Sequence, residues 1–284
     1  MSPTGNSVST SPCSDRCSDP RGAGTHTTAP KLGDTDPGPD HPAWSWADLH
    51  RNRTVYEDGR VLVLDKPEGI SVTGERHGTD VVRLAADVGV KLRPVHRIDK
   101  VTSGLVVLAL EPGAHSDLTR QFTRRQVHKE YLGVLVGSDM PDRGEIDLPL
   151  VTASSGRVRI AAPRDAITWD GGARRFGVPV GAVDTSRRVF DSTTTFEVRV
   201  RDEDRDLVLV ALGPRTGRRH QIRVHTAWVG HPVAGDPLFR TTSRPEVFGR
   251  TMLHAHRLGI TLPWVGPEAV TFEAPPPAGF ELGT

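Results

Sequence analysis

Residues 105–110 read LVVLAL, six consecutive apolar side chains with no polar alternation. Successive side chains of a β-strand point to opposite faces, so such a run must be covered on both sides. Residues 207–212 (LVLVAL) repeat the pattern. A chain with two such segments has to build a sheet with covering layers, and the rest of the sequence must supply them. Neither run approaches the roughly 20 apolar residues needed to cross a bilayer, nor does any other stretch, so no membrane association is expected.

The remaining elements are read around those two strands. Residues 60–65 (RVLVLD) form a short apolar run stopped by Lys66 and Pro67, and 131–136 (YLGVLV) form another; both predict strands. Phe196, Val198 and Val200 alternate with Glu197, Arg199 and Arg201, which predicts a strand with one wet face. A charged turn, 202–206, leads into 207–212. Val81, Leu84, Ala85 and Val88 fall at helical spacing behind Thr79 and Asp80, two residues able to cap a helix. Residues 116–125 predict a helix with Leu118 and Phe122 on one face, and 219–229 are helical by composition. Residues 258–262 read as the final strand, and 161–188, rich in Gly and Arg, as a long loop or irregular hairpin. Strands dominate with helices between some of them, which is the α+β class.

Charge and cysteine usage narrow the functional classes. The 284 residues carry 36 Lys and Arg against 35 Asp and Glu. The first fifty residues sum to −3 and the remainder to +4. A histone-like polycation is excluded, but local binding of nucleic acid is not. Cys13 and Cys17 are the only cysteines, so a disulfide scaffold is excluded and a zinc ribbon lacks its second pair. Residues 1–42 have no apolar period and are expected to be a disordered polar tail; Trp44, Trp46 and Leu49 mark the start of folded structure. The first thirty residues lack an apolar core behind a basic start, so a secretory leader is not expected and a cytoplasmic location is.

Three clusters carry the chemistry. In VHRIDKVTSG (95–104) one carboxylate, Asp99, lies among cations just before the apolar run. A carboxylate beside a guanidinium stays ionised and can act as nucleophile or base; equally, it can be a structural ion pair. In RTGRRHQIRVH (215–225) four arginines and two histidines crowd the start of a helix, a setting suited to phosphate. Ile222 and Val224 flank Arg223, which suggests that this segment is partly buried rather than a solvated basic face. Lys129-Glu130-Tyr131 opens a strand, and Tyr131 taken alone reads as a packed aromatic. His254 with His256, and His220 with His225, are spaced closely, but the HExxH pattern of zinc hydrolases is absent and no metal site is expected.

Taken together, these strings resemble the RluA-type pseudouridine synthases. HRIDKVTSGLVVLAL is similar to the family signature written H-R-L-D-x-x-T-S-G plus an apolar run, and RTGRRHQIRVHTAWVGHPVAGDPLF resembles a later signature. KPEGISV resembles the first motif, KEYLGVLVG the strand with the active-site tyrosine, and LHAHRLGITLP the closing strand. The likeness covers 55–277, in the family's motif order.

The resemblance implies a mixed, mostly antiparallel sheet in two halves with a central cleft and flanking helices. It implies an isomerase that converts specific uridines of rRNA or tRNA to pseudouridine, as a monomer, with no cofactor or metal. Asp99 corresponds to the catalytic aspartate, which attacks the sugar's anomeric carbon or the base. Tyr131 corresponds to the tyrosine that stacks on the target base and helps remove the C5 proton, and Arg223 to the basic partner of the aspartate. Arg97 corresponds to the residue that fills the gap left by the flipped nucleotide, and Ile222 to the lining of the base pocket. Arg93, Arg215, Arg218 and Arg219 join Arg97 as candidates for contacts to the RNA backbone. Ile98 stands where the family usually has leucine, 161–188 is longer than its usual counterpart, and the catalytic domain is expected over 43–284 without a separate N-terminal RNA-binding domain. Two other classes fit the residues less well: an inactive RNA-binding module of the same fold, and a hydrolase acting on nucleosides or glycosides.

Overall fold

The computed structural model describes residues 44–74, 79–154, 156–239 and 248–282. The tail expected over 1–42, with Cys13 and Cys17, lies outside the described residues. In chain order the elements are α1 (Trp46–Arg53), β1 (Thr54–Glu57), β2 (Val61–Lys66), α2 (Val81–Asp87), β3 (Arg93–Pro94), β4 (Ser103–Ala109), α3 (Pro112–Thr123), β5 (His128–Val136), β6 (Arg143–Asp147), β7 (Leu150–Thr152) and β8 (Val158–Ile160). They continue with β9 (Thr168–Asp170), β10 (Arg175–Gly177), β11 (Val189–Phe190), β12 (Thr193–Asp202), β13 (Leu207–Pro214), α4 (Gln221–Trp228), β14 (Leu253–Thr261) and β15 (Ala269–Glu273). This is the α+β arrangement that the apolar runs demand.

The main sheet runs β1-β2-β4-β14-β5-β13-β12-β6-β10-β9, with β15 added to β14 and β3 to β4; a small sheet, β11-β7-β8, stands beside it. Nearly every pairing is antiparallel; β4 with β14 and β6 with β10 are parallel. The 105–110 run occupies β4 and does what its pattern requires. Leu105, Val107 and Ala109 enter one core, under α3 with Ala114 and Leu118, while Val106 and Leu108 enter another, under α1 and α2. The neighbouring β2 divides the same way, Val61 and Val63 to the first core and Leu62 and Leu64 to the second. The 207–212 run occupies β13 at the centre of the other half, whose core takes Val208, Val210 and Leu212 together with Ile222 and Val224 of α4.

Local chemistry sets the helix starts. Ser45 accepts the Asp48 N–H at 3.1 Å to cap α1, Asp80 accepts the Arg83 N–H at 2.9 Å to cap α2, and Pro112 begins α3. Two expectations are corrected. The segment 258–262 is not the last strand: β14 begins at Leu253 and β15 follows it, pairing Leu258 with Phe272. The helix expected over 219–229 begins at Gln221, because His220 adopts a left-handed backbone conformation (φ 56°) that ends helical geometry on its N-terminal side. Segment 161–188 holds two short 3₁₀ turns and the β9–β10 hairpin, the irregular hairpin of the two options read for it.

The two halves of the sheet meet where β14 leaves β5 and touches β4. His254 pairs with Ser103 and Ala255 with Gly104, while Ala255 also faces Tyr131 of β5. Gly104 has φ +108°, and a Cβ placed there would collide with the Ala255 backbone. Both the conformation and the close approach exclude a side chain. Gly104→Ala is expected to lower the unfolding free energy by at least about 2 kcal/mol, measured by urea denaturation, because the seam must separate to admit a methyl group.

Candidate active site

The seam between the halves opens into a cleft of about 530 Å³. The segment 95–102 forms one wall. His96 turns inward, stacks on Phe122 with ring centres 4.5 Å apart, and accepts the Val107 N–H through Nε2 at 3.0 Å. Burial, reinforced by the nearby Lys129 charge, pushes His96 down to about 3, so the ring is neutral. Ile98 is also buried. Arg97 and Asp99, alternating with them, line the cleft. The Lys100 carbonyl is held by the Gly69 N–H at 2.8 Å and the buried Lys66 ammonium at 3.5 Å, and the Thr102 N–H closes a turn onto the Asp99 carbonyl at 3.1 Å. Asp99 therefore sits on a backbone fastened from both sides, with its side chain 21% exposed.

The opposite wall comes from α4. Gln221, its first residue, donates to the Thr193 carbonyl at 3.0 Å and the Thr194 hydroxyl at 3.1 Å, and accepts from the Thr216 hydroxyl at 2.5 Å and the Arg218 N–H at 3.1 Å. One amide thus ties the 214–220 loop to β12. Two residues later Arg223, 2% exposed, donates from Nη1 to Asp99 Oδ2 at 2.9 Å. Its other two nitrogens donate to Asp236: Nε to Oδ2 at 2.6 Å and Nη2 to Oδ1 at 2.9 Å. Asp236 is fully buried and also accepts the Leu238 and Phe239 N–H groups at 2.8 and 3.0 Å. The Phe239 ring lies 5.3 Å from the guanidinium carbon.

Burial opposes the charges of Asp236 and Arg223, and pairing overcomes it. For Asp236, desolvation favours the neutral acid, but the Arg223 hydrogen bonds and charge, with the two backbone donors, hold its pKa below the ordinary carboxylate value. For Arg223, desolvation is likewise outweighed, by Asp236 first and then Asp99. The bidentate Asp236 contact fixes the plane of the guanidinium, so its remaining edge can point only at Asp99.

Tyr131 lines the same cleft from β5, in register with Leu212 on one side and Ala255 on the other. Burial, and after it the Asp99 charge, raises the phenol well above its ordinary value, so the ring stands neutral beside the carboxylate. Ile222 also lines the cleft, with Arg215 and Arg218 at its rim. Two of the predicted arginines lie elsewhere: Arg93 donates to the Leu110 carbonyl at 2.7 Å, and the exposed Arg219 precedes the helix. The paired histidines are engaged in hydrogen bonding, His225 with Ser192, Leu148 and Thr194, and His254 with Ser103 and the Ala274 carbonyl.

Sequence reasoning did not single out Asp236 or Arg125, and read His220 only as one of a close histidine pair. Asp236 carries no local pattern; its only signal is its place between Gly235 and Pro237 in the second long signature string. Gly235 has φ +71° and packs so tightly on Arg250 that a Cβ would meet that carbonyl, which is how this loop brings Asp236 under Arg223. His220 Nε2 lies 3.8 Å from Asp99 Oδ1, with its ring edge-on to Phe239.

Comparisons with known proteins point to one family over most of the chain. The RNA pseudouridylate synthase family matches residues 60–228. An uncharacterized RNA pseudouridine synthase of Zymomonas mobilis is 35% identical over 238 residues, 81% of this chain and 97% of that protein. The dual-specificity RNA pseudouridine synthase RluA of Escherichia coli K12 is 33% identical over 225 residues, 78% of this chain and 91% of that protein. The solved structures of human RNA pseudouridylate synthase domain containing 4 and domain containing 1 superpose with TM-scores of 0.63 and 0.60 at 26% and 27% identity. They cover 83% and 80% of this chain, and 92% and 84% of their own.

Asp236→Ala would strand the buried Arg223 charge and is expected to cost about 3–5 kcal/mol in urea unfolding. Because the folded pKa of Asp236 lies below its unfolded value, its stabilisation is present above about pH 4 and is lost as pH falls through the folded value. Acid titration of stability should therefore show a shallower loss below about pH 4 in Asp236→Asn than in the wild type.

Proposed function

The chain belongs to the RNA pseudouridylate synthase family, of the RluA type, and is an isomerase converting uridine to pseudouridine in RNA; from that premise we propose that Asp99 is its nucleophile, acting on a uridine flipped out of rRNA or tRNA into the cleft. The observation that carries this reading is the partly exposed Asp99 carboxylate held by Arg223, itself locked by buried Asp236, in a cleft lined by an aromatic ring. The catalytic unit is residues 43–284, working in the cytoplasm as a monomer without metal or cofactor, and 1–42 is a polar appendage.

The reaction is an isomerisation and balances within the substrate. The bond from base N1 to sugar C1′ breaks, a bond from base C5 to C1′ forms, and the proton on C5 is replaced by one on N1. A single carboxylate suffices, because no water has to be activated as in the paired-acid glycosidases. Flipping the uridine costs a few kcal/mol of unstacking, which Arg97, exposed beside Asp99, offsets by occupying the vacated position. Ile222 and Tyr131 clamp the detached base and keep water from intercepting it.

Burial first, and the Asp99 charge after it, keep the Tyr131 phenol protonated, so Tyr131 packs against the base as a neutral ring while Asp99 carries the charge.

Asp99→Asn is expected to reduce pseudouridine formation by at least about three orders of magnitude while leaving RNA affinity within about threefold. Loss of binding in parallel with activity would instead make Asp99 a structural residue. Chromatography of the wild-type reaction should show pseudouridine and no free uracil; release of uracil would replace the isomerase mechanism with hydrolysis.

A further inference from the structure

We propose that Arg188, Phe190 and Arg218 form a phosphate-binding patch that grips the RNA chain just outside the uridine cleft, which makes the β11-β7-β8 sheet part of the substrate-binding surface. This inference rests on the chain acting on RNA, and goes beyond it by assigning a second contact region to named residues.

The patch is built on one aromatic ring. The Arg188 guanidinium lies 5.0 Å from the centre of the Phe190 ring and that of Arg218 lies 5.1 Å from it. Phe190 is half-buried on β11, which pairs with Leu150 and Val151 of β7, so the ring is fixed by a sheet rather than by a loose loop. Two like charges are thus held against one ring, an arrangement that favours an anion close to both.

No carboxylate among the described residues supplies that anion. Neither Arg188 nor Arg218 has a carboxylate partner among the described residues. Other arginines behave differently: Arg159 is closed by Asp184, Arg175 by Asp147, Arg201 by Asp142 and Arg215 by Glu145. Arg218 Nε leans on the Asp191 carbonyl at 3.4 Å, and its terminal nitrogens meet no acceptor among the described residues. Contact with the ring restrains both side chains, so less rotamer freedom is lost when they bind. A planar guanidinium pair matches phosphate oxygens, and the repeating phosphates of an RNA strand leaving the cleft satisfy both groups.

Position supplies the route. Arg218 lines the rim of the cleft, and Phe190 with Arg188 continues outward from it. Arg97 and Arg125 also line the cleft without carboxylate partners among the described residues. An RNA strand that places a nucleotide over Asp99 then meets unpaired guanidinium groups within the cleft and again just outside it.

The test uses full-length protein and a fluorescein-labelled, unmodified RNA transcript, chosen from tRNA and rRNA transcripts as one in which the wild type forms pseudouridine. Binding is measured across a salt series for wild type, Arg188→Ala, Arg188→Lys and Phe190→Leu. Arg188→Ala should raise Kd roughly fivefold at low salt and reduce the slope of log K against log salt by about 0.7 to 0.9, one phosphate contact. Arg188→Lys should retain most of that slope, and Phe190→Leu should weaken binding at an unchanged slope, because the charges remain but are no longer held. The loss should appear in Kd and not in the single-turnover rate at saturating RNA. An unchanged Kd and slope in Arg188→Ala, or a loss confined to the saturated rate, overturns the patch. Failure of the wild type to form pseudouridine in any transcript is a separate result, and overturns the functional reading instead.

Discussion

The site depends on a buried pair, Arg223 on Asp236. A guanidinium that is 2% exposed beside a fully buried carboxylate is costly to desolvate, and the cost is met only because each of the two groups is satisfied by several hydrogen bonds. The return is directional. With Nε and Nη2 committed to Asp236, Nη1 holds Asp99 Oδ2, while the other Asp99 oxygen lies 3.8 Å from His220 Nε2. A lone Asp99–Arg223 pair near solvent would let both side chains wander; anchoring the arginine from behind removes that freedom.

The same region is where the two halves of the fold join. Gly104, five residues after Asp99, permits β4 to touch β14, and Ala255 on β14 faces both Gly104 and Tyr131. Asp99 belongs to the half built on β2 and β4, Arg223 to the half packed on β13, and Tyr131 to the strand between them. The cleft is a consequence of that construction: a sheet that changes core across a seam leaves a groove along it, and the reactive groups are contributed from either bank.

Much of this was legible in the sequence, for reasons that can be named. The runs in β2, β4, β5 and β13 were readable because strands covered on both faces are unmistakably apolar, and the cap at Asp80 because its chemistry is local. Asp99, Tyr131 and Arg223 stood out only through the long signature strings; spacing alone left Asp99 as an ordinary ion pair. The rest is non-local. Asp236 is 13 residues from Arg223 with a turn between them, and nothing in its own neighbourhood announces a buried anion. The short strands β6, β7, β8 and β11 are two to five residues long and gain their order from partners far along the chain. The helix α4 begins two residues later than composition suggests, because a left-handed His220 interrupts it, and that conformation has no signature in residue type.

Mapping of pseudouridine across total RNA from cells with the gene, without it, and carrying the Asp99→Asn form tests the central claim most directly. The account predicts at least one uridine in rRNA or tRNA that is modified with the wild-type gene and remains plain uridine in the other two strains. Identical maps in all three strains would contradict it, and would mean that the carboxylate held by Arg223 is not positioned for chemistry on RNA.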